Sequence, residues 1–361
     1  MSEVQRDLTF AEAICDATRQ ALEADPTVYV MGEGVSDPKA IFETTRGLYK
    51  KFGPNRVIEM PIAENGLTGV AIGSALSGMR PLMVHQRVEF ALYAFEQIVN
   101  SAAKMLYSTA GKASAPLTIR LIIGRGWGQG PCHAQSLESV FGHFPGLRVV
   151  MPTTPHDAKG MLLSAIRCDD PVIFLEHRWL HSTHGPVPEE AYYVPLDKPK
   201  IVKHGSDITM VASSLMSLEA LAVQQALAVA GVSAALIDLR SIRPLNIDEI
   251  SKSVKATGRL LHIDSGWSNF GVGSEVISRL VERDLGIFKV RPRRLGMADY
   301  PSPATRALAR DYYPFPEDIL EAALAMLGLP EDRENVARAA LSESQAERED
   351  DRPHKDFLGP F

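Results

Sequence analysis

Gly66, Gly69, Gly73 and Ser77 recur at helical spacing within VIEMPIAENGLTGVAIGSALSGMRPLMVHQRVEF, residues 57–90. A helix over residues 67–77 therefore carries almost no side chain on one face. Such a face lets another backbone approach closely. A solitary helix gains nothing from it and loses roughly 0.5–1 kcal/mol per glycine relative to alanine. The pattern demands a tight neighbour, from this chain or from another. Glu64 stands just ahead of the bare face, and its position allows two readings. A carboxylate there gains from the helix dipole. Its setting is also apolar, between Met60-Pro61-Ile62-Ala63 and Leu67, and a carboxyl buried in such a setting becomes a proton-transfer group.

Around this segment, short apolar strands alternate with amphipathic helices. Residues 8–24 read as a helix, 27–31 as a strand and 81–84 as another. A long helix is expected over 90–107, a strand over 117–123 and a glycine-rich loop over 124–131. A strand over 149–151, a helix over 156–167 and a strand over 172–175 complete the series. Between 182 and 200 the pattern stops, with Pro186, Pro188, Pro195 and Pro199 among polar residues. A second alternation runs from the strand at 208–212 to the helix at 317–327. The expected fold is α/β, with two doubly wound, mainly parallel-sheet domains. These span residues 1–185 and 201–329, joined by a linker over 186–200. Residues 330–361 read as a charged tail, mobile or partner-bound.

The net charge of −6 gives no electrostatic reason to expect nucleic acid. The three cysteines, Cys15, Cys132 and Cys168, are far apart and lack metal-ligand spacing, as in a reduced, cytoplasmic protein. Charged residues interrupt any apolar leader at the start. The glycine segment is too short, and too broken by Ser77 and Arg80, to cross a membrane.

Five phrases in order carry a family resemblance: PIAENGLTGVAIGSALSGMRPL, AFEQIVNSAAKMLY, GPCHAQSLES, PGLRVVMPTTPHDAKGMLLSAI and DPVIFLEH. Over residues 8–327 the chain resembles the beta subunit of the 2-oxo acid dehydrogenase decarboxylating component. That group includes the pyruvate, branched-chain and acetoin enzymes and is related to the C-terminal half of transketolase. The resemblance implies a transketolase-like pyrimidine-binding domain followed by a transketolase C-terminal domain. It also implies thiamine diphosphate, with Glu64 sharing a proton with the cofactor's aminopyrimidine. The family's second motif, a Gly-Asp-Gly that holds magnesium and diphosphate, occurs nowhere in the 361 residues. An alpha subunit in an alpha2beta2 assembly would supply it, and a lipoyl acyltransferase would be the downstream partner.

The same resemblance assigns further residues. His133, in Gly130-Pro131-Cys132-His133-Ala134-Gln135-Ser136, matches a channel histidine that assists acyl transfer, although Ala134 stands where serine is usual. By itself a loop histidine reads as a structural hydrogen-bonder. Glu33 matches a strand-end acid near the cofactor, and a solvated turn acid is its plain alternative. Arg87 and Phe90 fall where the family approaches the pyrimidine. Val88, Glu89 and Phe90 fit the pattern, but Arg87 replaces an aromatic residue. It either stacks inside the site or turns outward to pair with Glu89 or a partner's acid. Backbone carbonyls of Leu117, Ala165, Ile166, Cys168 and Asp170 correspond to a potassium site. The implied activity is decarboxylation of a 2-oxo acid with acyl transfer to a lipoyl carrier. Transketolase-like transfer to a carbonyl acceptor and a noncatalytic scaffold are the alternatives.

Overall fold

The computed structural model describes residues 5–125, 128–346 and 348. Its first sheet has seven strands, in spatial order Ser241–Arg243, Arg148–Val150, Val172–His177, Thr118–Ile123, Arg80–His85, Val28–Gly32 and Val57–Glu59. All neighbours pair in parallel except Ser241–Arg243, which is antiparallel to Arg148–Val150. The central strands Val28–Gly32, Thr118–Ile123 and Val172–His177 are buried throughout, as parallel strands covered on both faces must be. The second sheet has five strands, ordered Arg293–Met297, Leu260–Trp267, Ile208–Ala212, Ala234–Asp238 and Lys200–Lys203. The strand Ser241–Arg243 leaves this second unit to extend the first sheet, so chain order and domain membership part company there.

The N-terminal helix begins later than its apolar pattern suggests. Gln5–Thr9 is a strand, and Thr9 then caps the helix Phe10–Ala24. The Glu12 amide donates to Thr9 Oγ1 at 3.0 Å, and the Thr9 amide donates to Glu12 Oε2 at 2.8 Å. Such a reciprocal cap contributes about 1 kcal/mol and fixes where the helix starts. The partner of Gln5–Thr9 is His184–Pro188, so the start of the expected linker is paired sheet. Beyond it, the Val194 amide bonds the Gly160 carbonyl at 3.1 Å. A methyl at Gly160 would meet Val194 Cγ2 at 2.5 Å, so glycine is what lets this segment lie against the helix Pro155–Arg167.

Two further segments differ from expectation. The helix expected over 90–107 is broken into a tight turn at Phe90–Leu92, a widened stretch at Gln97–Ala102 and an α-helical end at Met105–Ser108. In the widened stretch the Ala103 amide reaches back five residues to the Ile98 carbonyl, a geometry that often marks functional regions. Residues Glu331–Ser344, within the expected tail, form a helix docked on the helix Leu215–Val229. Ala337 and Leu341 are buried there, and Arg348 pairs with Glu219. The sparse apolar pattern of this helix hid it, because one narrow stripe carries the packing. Residues 347 and 349–361 lie outside the described residues.

Candidate active site

Each residue singled out in the sequence for the pyrimidine side lies beyond the carboxyl end of a parallel strand in the first sheet. Glu33 follows Val28–Gly32, and Glu64 opens the helix after Val57–Glu59. Arg87 and Phe90 follow Arg80–His85, and His133 lies in the loop after Thr118–Ile123. Open α/β sheets bind ligands at this edge because the strand-end loops converge there.

Glu64 is the first residue of the helix Glu64–Leu76 and is 7% exposed. Its carboxylate takes no hydrogen bond among the described residues. Glu33 Oε1 is likewise buried without a partner. Burial pushes the Glu33 carboxyl up, and the neighbouring Glu64 and Glu59 carboxylates push it further. Glu59 is occupied in ordering the turn beyond Glu33, accepting from the Gly34 and Ser36 amides at 2.5 and 2.9 Å. The rim thus holds two adjacent carboxyls, Glu33 and Glu64, with acceptor capacity to spare. That suits a ligand presenting a protonated ring nitrogen and an amino group.

The glycine helix bears on the same question. A methyl at Gly69 would lie 3.4 Å from Gln97 Oε1, so this position serves contact within the chain. A methyl at Gly66 or Gly73 would meet nothing. Ile62 and Val70, on and just ahead of this helix, are 85% and 55% exposed. The bare face is therefore mostly unfilled by the described residues.

His133 and Phe90 meet edge to face with ring centroids 5.3 Å apart. The two segments are tied by Glu89, whose Oε1 accepts from the Gln135 amide at 2.8 Å. Among the described residues, His133 Nδ1 and Glu89 Oε2 are buried without partners. The second domain braces this loop: Ser302 Oγ donates to the Ala134 carbonyl at 3.4 Å, and a methyl at Gly130 would lie 3.2 Å from Ala304 Cβ. Arg125 stacks on Trp179 at 3.6 Å and on Tyr313 at 4.7 Å, joining both domains beneath the loop. None of this bracing had a sequence signal beyond the aromatic residues themselves.

Arg87 does not turn outward. It is 3% exposed, donates to the Gly124 carbonyl at 3.5 Å and to the Gln129 side-chain oxygen, and lies over the Phe42 ring at 5.6 Å. With Phe90, His133 and Arg178 it lines a cleft of about 710 Å³. Arg178 and Phe42, absent from the sequence-based site, come from a strand-end turn and from the loop after Val28–Gly32. Neither belongs to a recognisable motif.

The carbonyl set corresponding to potassium already faces a cation. Arg80 donates to the Ile166 and Cys168 carbonyls at 3.2 and 3.1 Å and pairs with Asp169 at 2.6 Å. The Leu117 and Ala165 carbonyls accept from the Val172 and Cys168 amides at 2.9 and 3.1 Å. A guanidinium among these oxygens, at the negative end of the helix Pro155–Arg167, leaves them ill-suited to a second positive charge. Of the expected set Leu117, Ala165, Ile166, Cys168 and Asp170, the Ile166 and Cys168 carbonyls are thus taken by a guanidinium, which disfavours potassium beside them. Among the described residues, no group of three or more His, Cys, Asp or Glu side chains could hold a metal.

The family model of the transketolase pyrimidine-binding domain matches residues 6–182, and that of the transketolase C-terminal domain matches 197–319. The beta subunit of the mitochondrial pyruvate dehydrogenase E1 component from Pisum sativum is 38% identical over 322 residues, covering 88% of this chain and 90% of its own. The corresponding subunit from Staphylococcus epidermidis is 37% identical over 321 residues, covering 89% and 98%. The chain belongs to the 2-oxo acid dehydrogenase E1 beta family, within the transketolase superfamily. It is the beta subunit of a thiamine diphosphate-dependent enzyme of that type. A split-gene transketolase, solved as an inactive beta4 tetramer, shares the fold with a TM-score of 0.72 at 21% identity, covering 89% of this chain and 99% of its own. No helix among the described residues is long and apolar enough to cross a membrane.

Proposed function

We propose that this E1 beta-type chain supplies the pyrimidine half of a split thiamine diphosphate site. An alpha subunit would hold magnesium and the diphosphate in an alpha2beta2 assembly. The observation that carries this is Glu64, which is 7% exposed and takes no hydrogen bond among the described residues, on the first turn of a helix whose Gly66 and Gly73 face none of those residues. When bound, thiamine diphosphate supplies the nucleophilic carbon and the electron sink for decarboxylating a 2-oxo acid. Glu64 would hold a proton at the pyrimidine ring nitrogen, beside Glu33, whose carboxyl is pushed up by burial and by the Glu64 and Glu59 carboxylates. His133, held by Phe90 and the Glu89–Gln135 contact, would move a proton during transfer of the acyl unit to a lipoyl carrier on an acyltransferase. Potassium has no part in this reading, since Arg80 takes two of the five expected carbonyls. A cytoplasmic location suits the unpaired cysteines.

The test is Glu64→Gln in the enzyme assembled with its alpha subunit. An amide still hydrogen-bonds the ring but cannot share the proton. Hydrogen–deuterium exchange at the cofactor's acidic ring carbon should slow by about 10²-fold or more, with assembly intact. Unchanged exchange would remove Glu64 from this role.

A further inference from the structure

We infer that the cleft beside His133 contains an oxyanion-binding site centred on Arg87, serving a substrate or acceptor that keeps a phosphate or carboxylate through the reaction. The inference rests on the E1 reading only for the identity of the reaction; the site itself stands on the geometry of the cleft.

Arg87 is buried, yet both of its hydrogen-bond acceptors, the Gly124 carbonyl and the Gln129 amide oxygen, are neutral. Among the described residues no carboxylate lies within ion-pair distance of it. Its sequence neighbour Glu89 bonds the Gln135 amide instead. Glu89 is near enough to favour the charged guanidinium but does not contact it, so burial still disfavours the cation, and the cost falls when an anion enters. The surroundings have the matching sign. Lys39, Arg46, Arg87 and Arg178 line the cleft against Asp37 and Glu43, and Glu43 is already paired with Arg46. This cationic lining belongs to a chain whose net charge is −6. Arg178 lies 4.3 Å from the Phe42 ring that Arg87 also covers. Burial and the neighbouring Arg87 together lower the Arg178 pKa to about 10, against the opposing charge of Glu43. The structure thus brings two guanidinium groups to a single ring on the cleft wall.

The carboxylate of a 2-oxo acid is a poor candidate for the occupant. It leaves as neutral carbon dioxide, and a fixed cation gripping it would stabilise the ground state more than the transition state. A cation that aids the reaction must hold an anion that stays. Phe90 and His133 line the same cleft, so the retained anion would sit within one small molecule's length of the reacting end. The planar guanidinium fork suits phosphate and carboxylate alike.

The experiment uses the full chain with inorganic phosphate, followed by phosphorus NMR line broadening, and acetate with acetamide as neutral control. Phosphate or acetate should bind and acetamide should not. Binding by both anions, or by either one, identifies the oxyanion class taken. Arg87→Gln should weaken that binding about 10- to 100-fold. Should Arg87→Gln fail to fold, Arg87→Lys carries the test: it keeps the charge, loses the fork and should bind several-fold more weakly. Absence of binding by either anion, binding untouched by these substitutions, or equal binding of acetamide would overturn the site. So would loss of phosphate binding when the alpha subunit is added, which would make a partner's carboxylate the occupant. Thiamine diphosphate binding by the assembled wild-type enzyme is measured alongside. Its failure would remove the E1 reading and leave the phosphate result to be judged alone.

Discussion

The rings of Phe90 and His133 lie edge to face at 5.3 Å, joining the turn after one parallel strand to the loop after its neighbour. The contact fixes the imidazole from one side while its Nδ1 is left buried without a partner among the described residues. His133→Ala should therefore slow acyl transfer by 10²-fold or more, within the range of general acid–base contributions, while thiamine diphosphate affinity changes little. Single-turnover kinetics with a lipoyl acceptor, beside calorimetry of cofactor binding, separates the two. A main loss in cofactor affinity would give the loop a different task.

Gly73 faces open space in the isolated chain, so a side chain there should not disturb its own packing. Gly73→Leu should leave thermal stability unchanged or slightly raised, since leucine favours helix over glycine by about 0.5–1 kcal/mol. It should nevertheless abolish assembly with the alpha subunit. Analytical ultracentrifugation of the mixed subunits checks this, and normal assembly would show that the bare face is not an interface.

Arg80 supplies the positive charge at the end of the helix Pro155–Arg167. Unfolding of the wild-type chain should be the same in potassium and in sodium chloride at equal ionic strength. Arg80→Ala should be destabilised, and added potassium should then restore part of the loss. Potassium-specific stabilisation of the wild type would contradict the substitution of a guanidinium for the ion.

His85 is buried at the end of its strand, and burial lowers its pKa from 6.5 to about 4. Between these values the unfolded chain binds the proton and the folded chain does not. Stability is then complete above pH 6.5 and declines as pH falls toward 4, by roughly 3 kcal/mol for this group. His177 and His181 are shifted in the same direction, chiefly by burial. Denaturant unfolding at pH 7.5 and pH 5 should show the decline, and His85→Asn should make it shallower. Equal stability at both values would mean that these imidazoles are solvated.

The alternation of strands and helices was legible because buried parallel strands are continuous apolar runs. Ile208–Ala212 has the bounds expected of it. Glu64, His133, Glu33 and Phe90 were singled out by motif, and the fold places all of them beyond strand ends. What stayed hidden depends on long-range contact. Ser241–Arg243 gives no sign that it joins the other domain's sheet, because three residues carry no usable period. The Arg120–Glu176 ion pair, wholly buried between adjacent strands, looks in sequence like two unrelated surface charges. Arg80 followed the same pattern: only the fold shows that it reaches the carbonyls of Ile166 and Cys168.

The central claim is that this chain holds only half of the cofactor site. Calorimetric titration of thiamine diphosphate with magnesium, into the chain alone and into the chain mixed with its alpha subunit, tests it most directly. The account predicts negligible heat for the chain alone and stoichiometric, magnesium-dependent binding for the mixture. Stoichiometric, magnesium-dependent binding by the chain alone would contradict it.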